Sequence, residues 1–148
     1  MIGKAVGNML IGDYRCSIDV KGRVNFPAKL RADLGARFVI TRSLSDRCIS
    51  VYSIEEWQSI IDKLHAMPQN KSRNIRRMLS GFASEAEPDA QGRILLPASL
   101  REYAELGKDA VIIGASTHCE IWSRENWEAL CNELDSDTIA AVMDELNF

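Results

Sequence analysis

The sequence has few residues of the kinds that build metal sites. Its 148 residues include only four cysteines and two histidines, no two cysteines form a C-x-x-C pair, and His65 and His118 lie far apart. A zinc site needs closely spaced thiolate or imidazole ligands. We therefore interpret the cysteines as ordinary buried or incidental thiols of a reducing compartment, and we expect neither a metal nor another cofactor. The four lie at positions 16, 48, 119 and 131.

The chain also lacks the patterns of catalysis and of membrane insertion. Neither histidine lies in a serine, cysteine or aspartate pattern typical of a triad, and there is no glycine-rich phosphate loop. No apolar run approaches the roughly 20 residues of a membrane helix. Residues 1–10 contain no apolar stretch long enough for a signal peptide. These absences predict a cytoplasmic protein that is not an enzyme, does not bind a membrane and has no evident small-molecule substrate.

Positive charge is scarce overall but concentrated. The net charge is −3, which taken alone argues against nucleic-acid binding. Residues 13–31 nevertheless hold five basic groups against two acidic ones, and residues 63–77 hold five basic groups and no acid. Residues 120–148 hold one basic group against eight acids. Because the local field decides what a surface attracts, the sequence predicts that the N-terminal part of the chain is basic and that the C-terminal tail is acidic.

What the chain does contain is an internal repeat. Residues 19–31 read DVKGRVNFPAKLR, and 70 positions later residues 89–101 read DAQGRILLPASLR. Each copy continues to a serine followed by a helix with an early tryptophan, at Trp57 and at Trp127. A doubled unit of this kind indicates two small modules related by pseudo-symmetry.

The local pattern of each copy predicts an α+β unit. Alternation at residues 13–18 predicts a strand, a glycine turn follows at Gly22 and at Gly92, and alternation resumes in a return strand. Pro27 suits the start of a short helix, which we expect to end at Gly35, with its partner ending at Gly107. A second strand pair is predicted at 38–40 and 49–52, repeated at 110–113 and 119–122.

The longer helices carry apolar stripes that predict core packing. Ser53 and Glu56 form a capping box before the first of them. The two equivalent stripes are Trp57, Ile60, Ile61 and Leu64, and Trp127, Leu130, Cys131 and Leu134.

Two further segments fall outside the predicted repeat. A linker at 67–70 precedes a helix, for which we predict Ile75, Met78, Leu79 and Phe82 inward and Arg73, Arg76 and Arg77 outward. That basic face is either a solvated surface or a site for phosphate or for an acidic partner, such as the tail of a neighbouring subunit. The acidic C-terminal helix has a stripe that packs on its own domain or on a neighbour; it comprises Ile139, Val142, Met143 and Leu146.

The Asp-x-x-Gly-Arg segments are the candidate functional site. A plain β-turn explains the loop-structuring residues Asp19, Gly22, Asp89 and Gly92. It does not explain an arginine at the same offset in both copies. Arginine and lysine read guanine edges, glutamine reads adenine, and all three hold phosphates, while a bidentate aspartate would orient the arginine. The predicted DNA-binding set is Arg15, Lys21, Arg23, Gln91 and Arg93.

Arg31 and Arg101 close the two motifs, each eight residues after the turn arginine. The simplest interpretation is a solvated helical charge, or a salt bridge to Asp19 or Asp89.

From about Ile11 to Trp127, the chain resembles the MraZ family of bacterial transcriptional regulators. The motifs that carry the resemblance are the two Asp-x-x-Gly-Arg segments with the Pro-Ala steps after them, the Leu-Arg-Glu-Tyr run at 100–103, and Glu-Ile-Trp-Ser at 120–123 with Trp127. Residues 1–10 precede the matching segment, and the match is loose after about Asp135.

The resemblance implies tandem AbrB-like modules, each a swapped-hairpin, double-split β-barrel, packed as a pseudo-dimer with helices outside. With the patterns above, this divides the chain into a first module with its capped helix (11–66), a linker and basic helix (67–80), a second module with its capped helix (81–134) and an acidic C-terminal helix (135–148).

The resemblance also implies a function. A ring-shaped homo-oligomer would bind G-rich direct repeats in double-stranded DNA upstream of the cell-division and cell-wall gene cluster, usually as a nucleoid-associated repressor. Lys21, Arg23 and Arg93 carry over as DNA contacts. A non-catalytic protein-interaction scaffold remains the alternative, because related folds also serve as dimerisation modules.

Overall fold

The order of elements is the same in the two halves of the chain. The computed structural model describes residues 9–147, and each half runs through two strands, a helix, two strands and two helices. The first half comprises β1 (Asp13–Ser17), β2 (Arg23–Asn25), α1 (Ala28–Leu34), β3 (Phe38–Arg42), β4 (Ile49–Ser53), α2 (Ile54–Ala66) and α3 (Gln69–Gly81). The second comprises β5 (Ser84–Ala86), β6 (Arg93–Leu95), α4 (Ala98–Tyr103), β7 (Asp109–Gly114), β8 (Cys119–Ser123), α5 (Arg124–Glu133) and α6 (Ser136–Glu145).

Strand pairing crosses between the halves. The larger sheet has the order β1-β7-β8-β4-β3-β5, so the first strand of each half pairs with the third strand of the other. Asp13 lies opposite Ile113, and Phe38 lies opposite Ala86. The return strands β2 and β6 form a separate two-stranded ribbon, in which Val24 lies opposite Ile94. All these pairs are antiparallel, which confirms the predicted α+β class and its tandem repeat.

A single hydrophobic cluster joins the halves. Phe26 and Phe38 are fully buried, with ring centroids 5.1 Å apart. From the second half, Ile94, Leu96 and Leu100 enter the same cluster and are no more than 1% exposed. Neither half can therefore bury its apolar residues without the other.

The four cysteines differ in their burial. Cys48 and Cys119 are buried, and burial raises the pKa of each to about 12. Cys16 is half-buried, with its pKa raised by burial to about 11, and Cys131 is exposed. Within residues 9–147 no group of histidine, cysteine, aspartate or glutamate side chains could hold a metal ion.

Two expectations about helix ends and relationships were wrong. α4 ends at Tyr103 and not at Gly107, because Glu105 adopts a φ of 56° and the Leu106 N–H donates to the Arg101 carbonyl at 2.9 Å. This pattern closes a helix without glycine.

The two segments predicted to lie outside the repeat are equivalent to each other, since α3 and α6 are the last helices of their respective halves.

The predicted packing of the outer helices was only partly correct. The α2 stripe is half-buried, and in the second copy Cys131 and Leu134 are exposed. On α3, Leu79 is buried, whereas Ile75 and Met78 are 37% and 38% exposed. These helices lie on the periphery, where one face contacts the sheet and no further layer formed by residues 9–147 covers them. In the described part of the chain, no helix combines the length and apolarity needed to cross a membrane.

Capping at the helix starts follows the sequence more closely. The Ser53 hydroxyl accepts from the Glu56 N–H at 3.1 Å, and Ser123 accepts from Asn126 at 3.0 Å. The reciprocal bond of a capping box, from the Ser53 N–H to the Glu56 carboxylate, is not among the hydrogen bonds of residues 9–147. Only half of the predicted capping box therefore forms.

Adjacent leucines test the shared core. Leu96 is fully buried and Leu95 is 59% exposed, so Leu96→Ala should lower the free energy of unfolding by about 2–5 kcal/mol and Leu95→Ala by about 0.5 kcal/mol or less. Urea unfolding followed by circular dichroism measures both. Equal losses of unfolding free energy in the two variants would contradict the assignment of Leu96 to the core and of Leu95 to the surface.

Candidate nucleic-acid interface

The first Asp-Arg loop is a turn organised by one carboxylate. One oxygen of Asp19 accepts the backbone N–H groups of Lys21 and Arg23, at 3.0 and 2.9 Å. Its other oxygen accepts Nε of Arg23 at 2.9 Å. The bidentate pair expected from the sequence does not form, because the first oxygen is already occupied by backbone donors. The guanidinium is therefore held by its Nε edge.

The second loop repeats this geometry. One oxygen of Asp89 accepts the N–H groups of Gln91 and Arg93, both at 2.9 Å, and the other accepts Nε of Arg93 at 3.0 Å. Nη2 of Arg93 also donates to the Gln91 side chain at 3.3 Å. The structure thus brings each loop-structuring aspartate together with the arginine predicted to contact DNA.

Both carboxylates are ionised at neutral pH. The hydrogen bond from the Arg23 backbone, ahead of the other favourable contacts, holds the pKa of Asp19 below its ordinary 3.8. The Arg93 backbone lowers the pKa of Asp89 in the same way. Because the folded pKa is lower than the unfolded one, the stabilisation is complete above the unfolded pKa and is lost as pH falls through the folded pKa.

The ribbon places both arginines on one surface. Arg23 lies opposite Leu95, and Asn25 lies opposite Arg93. Side chains directly opposite, and those two residues apart, share a face of a ribbon, so these four residues point the same way. Val24 and Ile94 point the other way and are each 1% exposed. Arg23 and Arg93 are diagonal neighbours on the outer face, with a separation of about 7–8 Å between their backbones.

Each loop is fastened to the other half. The Gly92 carbonyl accepts the Phe26 N–H, and the Gly22 carbonyl accepts the Leu96 N–H, both at 2.9 Å. Gly22 and Gly92 have φ of +83° and +81°, which side chains rarely adopt. A Cβ on Gly22 would lie 2.9 Å from Nε of Arg101. Glycine is therefore required for both backbone shape and close approach.

Arg31 and Arg101 provide that close approach. Nε of Arg31 donates to the Phe26 carbonyl and Nε of Arg101 donates to the Leu96 carbonyl, each at 2.9 Å. Nη2 of Arg31 would lie 2.8 Å from a Cβ on Gly92. The expected solvated charge or salt bridge was wrong, since no ion pair between these arginines and the loop aspartates occurs within residues 9–147. We call this crosswise arrangement the arginine brace. A glycine at a fixed offset from an arginine in both copies was its only signal in the sequence.

Arg15 lies apart from the paired loops, on the edge strand β1. Its Nη1 is 3.7 Å from a Glu128 oxygen that also accepts Nε of Arg124 at 3.1 Å. Exposed pairs of this kind contribute little to stability. Lys21 and Gln91, by contrast, are exposed within the loops themselves.

A second basic surface lies on the helices. An open groove of about 320 Å³ between α2 and α3 is lined by Ile61, His65, Arg73, Arg76, Arg77 and Ser80. We call it the basic groove. The sequence predicted the three arginines as an outward face, and the structure adds Ile61 and His65 of α2 to the lining.

The fold and the paired loops define a tandem-repeat α+β protein in which two halves exchange strands and present matching Asp-Arg turns. A family model described as "MraZ protein, putative antitoxin-like" matches residues 9–77 and again residues 78–146. The chain belongs to the MraZ family, which confirms the resemblance inferred from the sequence.

Individual relatives match over nearly the whole chain. Transcriptional regulator MraZ of Thermoanaerobacter pseudethanolicus is 50% identical over 143 residues, covering 94% of this chain and 99% of the relative. The protein of that name from Caldanaerobacter subterraneus subsp. tengcongensis is 46% identical, with the same coverage. That from Moorella thermoacetica is 44% identical over 140 residues, covering 93% of this chain and 96% of the relative.

The arginine brace predicts a crosswise response to substitution. Arg31→Ala removes the guanidinium that lies against Gly92, so the amide NMR signal of Gly92 should shift more than that of Gly22. Arg101→Ala should have the opposite effect, and Arg124→Ala is the control that should shift neither. Larger shifts in the loop of the same half would contradict the crosswise contact.

Proposed function

We propose that the protein is a sequence-specific regulator of transcription that binds double-stranded DNA through its two Asp-Arg loops. The observation that carries the proposal is the pair of aspartate-held arginines, Arg23 and Arg93, on the outer face of the β2–β6 ribbon. The names of the relatives, each a transcriptional regulator, support the class.

The ribbon suits a duplex groove. The major groove of B-DNA admits a two-stranded β-ribbon, and the outer face of β2–β6 presents polar groups while its other face is buried. Because aspartate holds each arginine by Nε, the two terminal nitrogens take no part in that pair, although Nη2 of Arg93 donates to Gln91 at 3.3 Å. Two parallel donors match the O6 and N7 acceptors of guanine. The diagonal spacing of about 7–8 Å corresponds to roughly two base-pair steps.

The remaining residues of the predicted set have distinct parts in this proposal. Lys21 reads guanine or holds a phosphate, and Gln91 reads adenine or supports Arg93, to which its side chain is hydrogen-bonded at 3.3 Å. The loops therefore differ in base preference despite their matching geometry. Arg15 contributes at most a phosphate contact, since Glu128 competes for it at 3.7 Å. Asp19, Gly22, Asp89 and Gly92 shape the loops.

We also propose that each half is an AbrB-like swapped-hairpin module of the double-split β-barrel type. The support is the exchange of β1 and β5 between halves and the pairing of β2 with β6 at the centre. In this arrangement the two loops are related by a pseudo-two-fold axis, which is also the symmetry of duplex DNA.

In the cell, we propose that the protein acts in the cytoplasm at the nucleoid, as a repressor of the cell-division and cell-wall gene cluster. Its operator would be a set of G-rich direct repeats, bound by a ring of identical chains. Each chain presents a small basic surface on an acidic protein, so one loop pair binds weakly. Several pairs on evenly spaced repeats gain affinity through effective concentration.

The arginines provide the first test of DNA binding. Arg23→Ala and Arg93→Ala should each lose on the order of 1–3 kcal/mol of binding free energy, about 5- to 150-fold in Kd, and should relax the preference for guanine. Arg124→Ala removes an equal charge from α5 and should bind normally. Fluorescence anisotropy on the DNA upstream of the gene, with scrambled DNA for comparison, measures each. Full affinity in both loop variants would show that the loops are only turns.

Repeat number provides the second test. A duplex with several repeats should bind about 10²- to 10⁴-fold more tightly than one with a single repeat, and changing the spacing should remove the gain. Affinity should fall steeply with salt, and Lys21→Ala should reduce the log–log slope by about one if Lys21 holds a phosphate. Equal affinity for one repeat and for several would contradict avidity. Absent binding at low salt would favour the scaffold.

A further inference from the structure

The two ends of the β2–β6 ribbon carry different side chains beside their matching arginines. Leu95 lies opposite Arg23, at the end of the ribbon next to the first loop. Asn25 lies opposite Arg93, at the end next to the second loop, and its Oδ1 would be 3.2 Å from a Cβ on Gly92. Each loop is therefore accompanied by a residue that the other half supplies.

Asn25 and Leu95 are equivalent positions of the repeat, 70 residues apart, yet one is polar and the other apolar. Because asparagine occupies this position in one copy, the ribbon needs no apolar side chain there in order to fold. Leu95 is nevertheless 59% exposed, and Val20, at the tip of the first loop, is fully exposed. The equivalent of Val20 is the smaller Ala90. We call the first loop with Leu95 the leucine end of the ribbon, and the second loop with Asn25 the asparagine end.

The surroundings of Leu95 distinguish it from an ordinary surface leucine. Single exposed apolar side chains are common on proteins and need no explanation. Leu95, however, shares the outer face of the ribbon with Arg23 and Arg93, which the proposed function places against the bases of DNA. It would therefore lie against the bases whenever the arginines read them.

The major groove of DNA distinguishes the chemistry of the two ends. Thymine presents a C5-methyl group, which apolar side chains contact, whereas adenine presents N6 and N7, with which asparagine forms two hydrogen bonds. The side-chain amide of Asn25 is exposed and has no hydrogen bond within residues 9–147, so it is available for such a pair. Contact with a methyl group would remove apolar surface of Leu95 from water, which is favourable.

We propose that Leu95, assisted by Val20, contacts a thymine methyl group next to the guanine that Arg23 reads. At the asparagine end, Asn25 reads an adenine next to the guanine of Arg93. The matching shape of the loops would allow the ribbon to bind a repeat in either direction, and this difference in chemistry selects one. This inference names the bases recognised by the proposed DNA site and rests on that function.

Deoxyuridine tests the methyl contact, because it differs from thymidine only by the missing methyl group. The probe is the duplex from upstream of the gene, with uracil replacing thymine at one equivalent position of every repeat in turn. At one position the replacement should weaken wild-type binding at least about 4-fold, as expected for one buried methyl group. Leu95→Ala should lose this sensitivity. Leu44→Ala, which removes a 47% exposed leucine between β3 and β4, is the control that should keep it.

The analogue 7-deazaadenine, which lacks only the N7 acceptor, tests the asparagine end. Its introduction at one adenine position should weaken wild-type binding roughly 2- to 10-fold, the effect of one lost hydrogen bond. Asn25→Ala should lose this sensitivity, and Gln91→Ala should retain it at the same position. The reverse result would assign the adenine to Gln91 and overturn the role of Asn25.

An exchange of chemistry provides a gain of binding that damage to the fold could not produce. Leu95→Asn gives the leucine end the side chain of the asparagine end. It should bind a duplex with adenine in place of the critical thymine more tightly than the wild-type chain does. Fluorescence anisotropy measures each affinity, and circular dichroism checks that the exposed substitutions leave the fold unchanged.

The arginine variants separate this inference from the proposed function. Wild-type binding that depends on Arg23 and Arg93, while Leu95→Ala and Asn25→Ala keep every base preference, would overturn this inference and leave the DNA function intact. Wild-type binding that is insensitive to uracil at every position would overturn the role of Leu95. Absence of selective binding at low salt would refute both the inference and the function.

Discussion

The structure depends on two hydrogen bonds that cross between its halves. The carbonyl of each loop glycine accepts the N–H of the residue that follows the return strand of the other half, both at 2.9 Å. Around these bonds, Arg31 and Arg101 each occupy the space that a side chain on the opposite glycine would need. The loop of one half therefore has its shape only when the other half is folded against it. The consequence is a fixed separation between Arg23 and Arg93, which a pair of independent modules would not provide.

The two halves have the same order of elements, but their last two helices are packed to different extents. In the first half, α2 and α3 contact each other and the strands beneath them, and Leu79 enters the interior. In the second half, α5 contacts β7 and β8, and α6 extends beyond it with every residue exposed. The charges differ in the same direction, since the first helical pair is basic and the second is acidic. The pseudo-symmetry of the two halves is therefore broken in both packing and charge.

The repeat made most of the fold accessible from sequence. Periodicity located most of the strands, though not β5, and the proline positions located the short helices after Pro27 and Pro97. The paired Asp-x-x-Gly-Arg segments located the turns. Pairing between halves was beyond pattern analysis, because alternation shows that a strand has two faces but not which strand it meets. The function of Arg31 and Arg101 was missed for a related reason, since Arg31 lies against Gly92 and Arg101 lies against Gly22, 61 and 79 positions away along the chain. The end of α4 was missed because Glu105 takes a conformation that sequence rules assign to glycine.

The distribution of charge explains how an acidic chain can present a surface to a polyanion. The acids Glu133, Asp135, Asp137, Asp144 and Glu145 lie at or near α6. Arg73, Arg76 and Arg77 line the basic groove. Screening over about 8 Å at physiological salt keeps acids more distant than this from cancelling the charge of the loop arginines. In the proposed ring, assembly would multiply the loops, and the local field of each loop, not the net charge of the chain, would decide how that loop meets DNA.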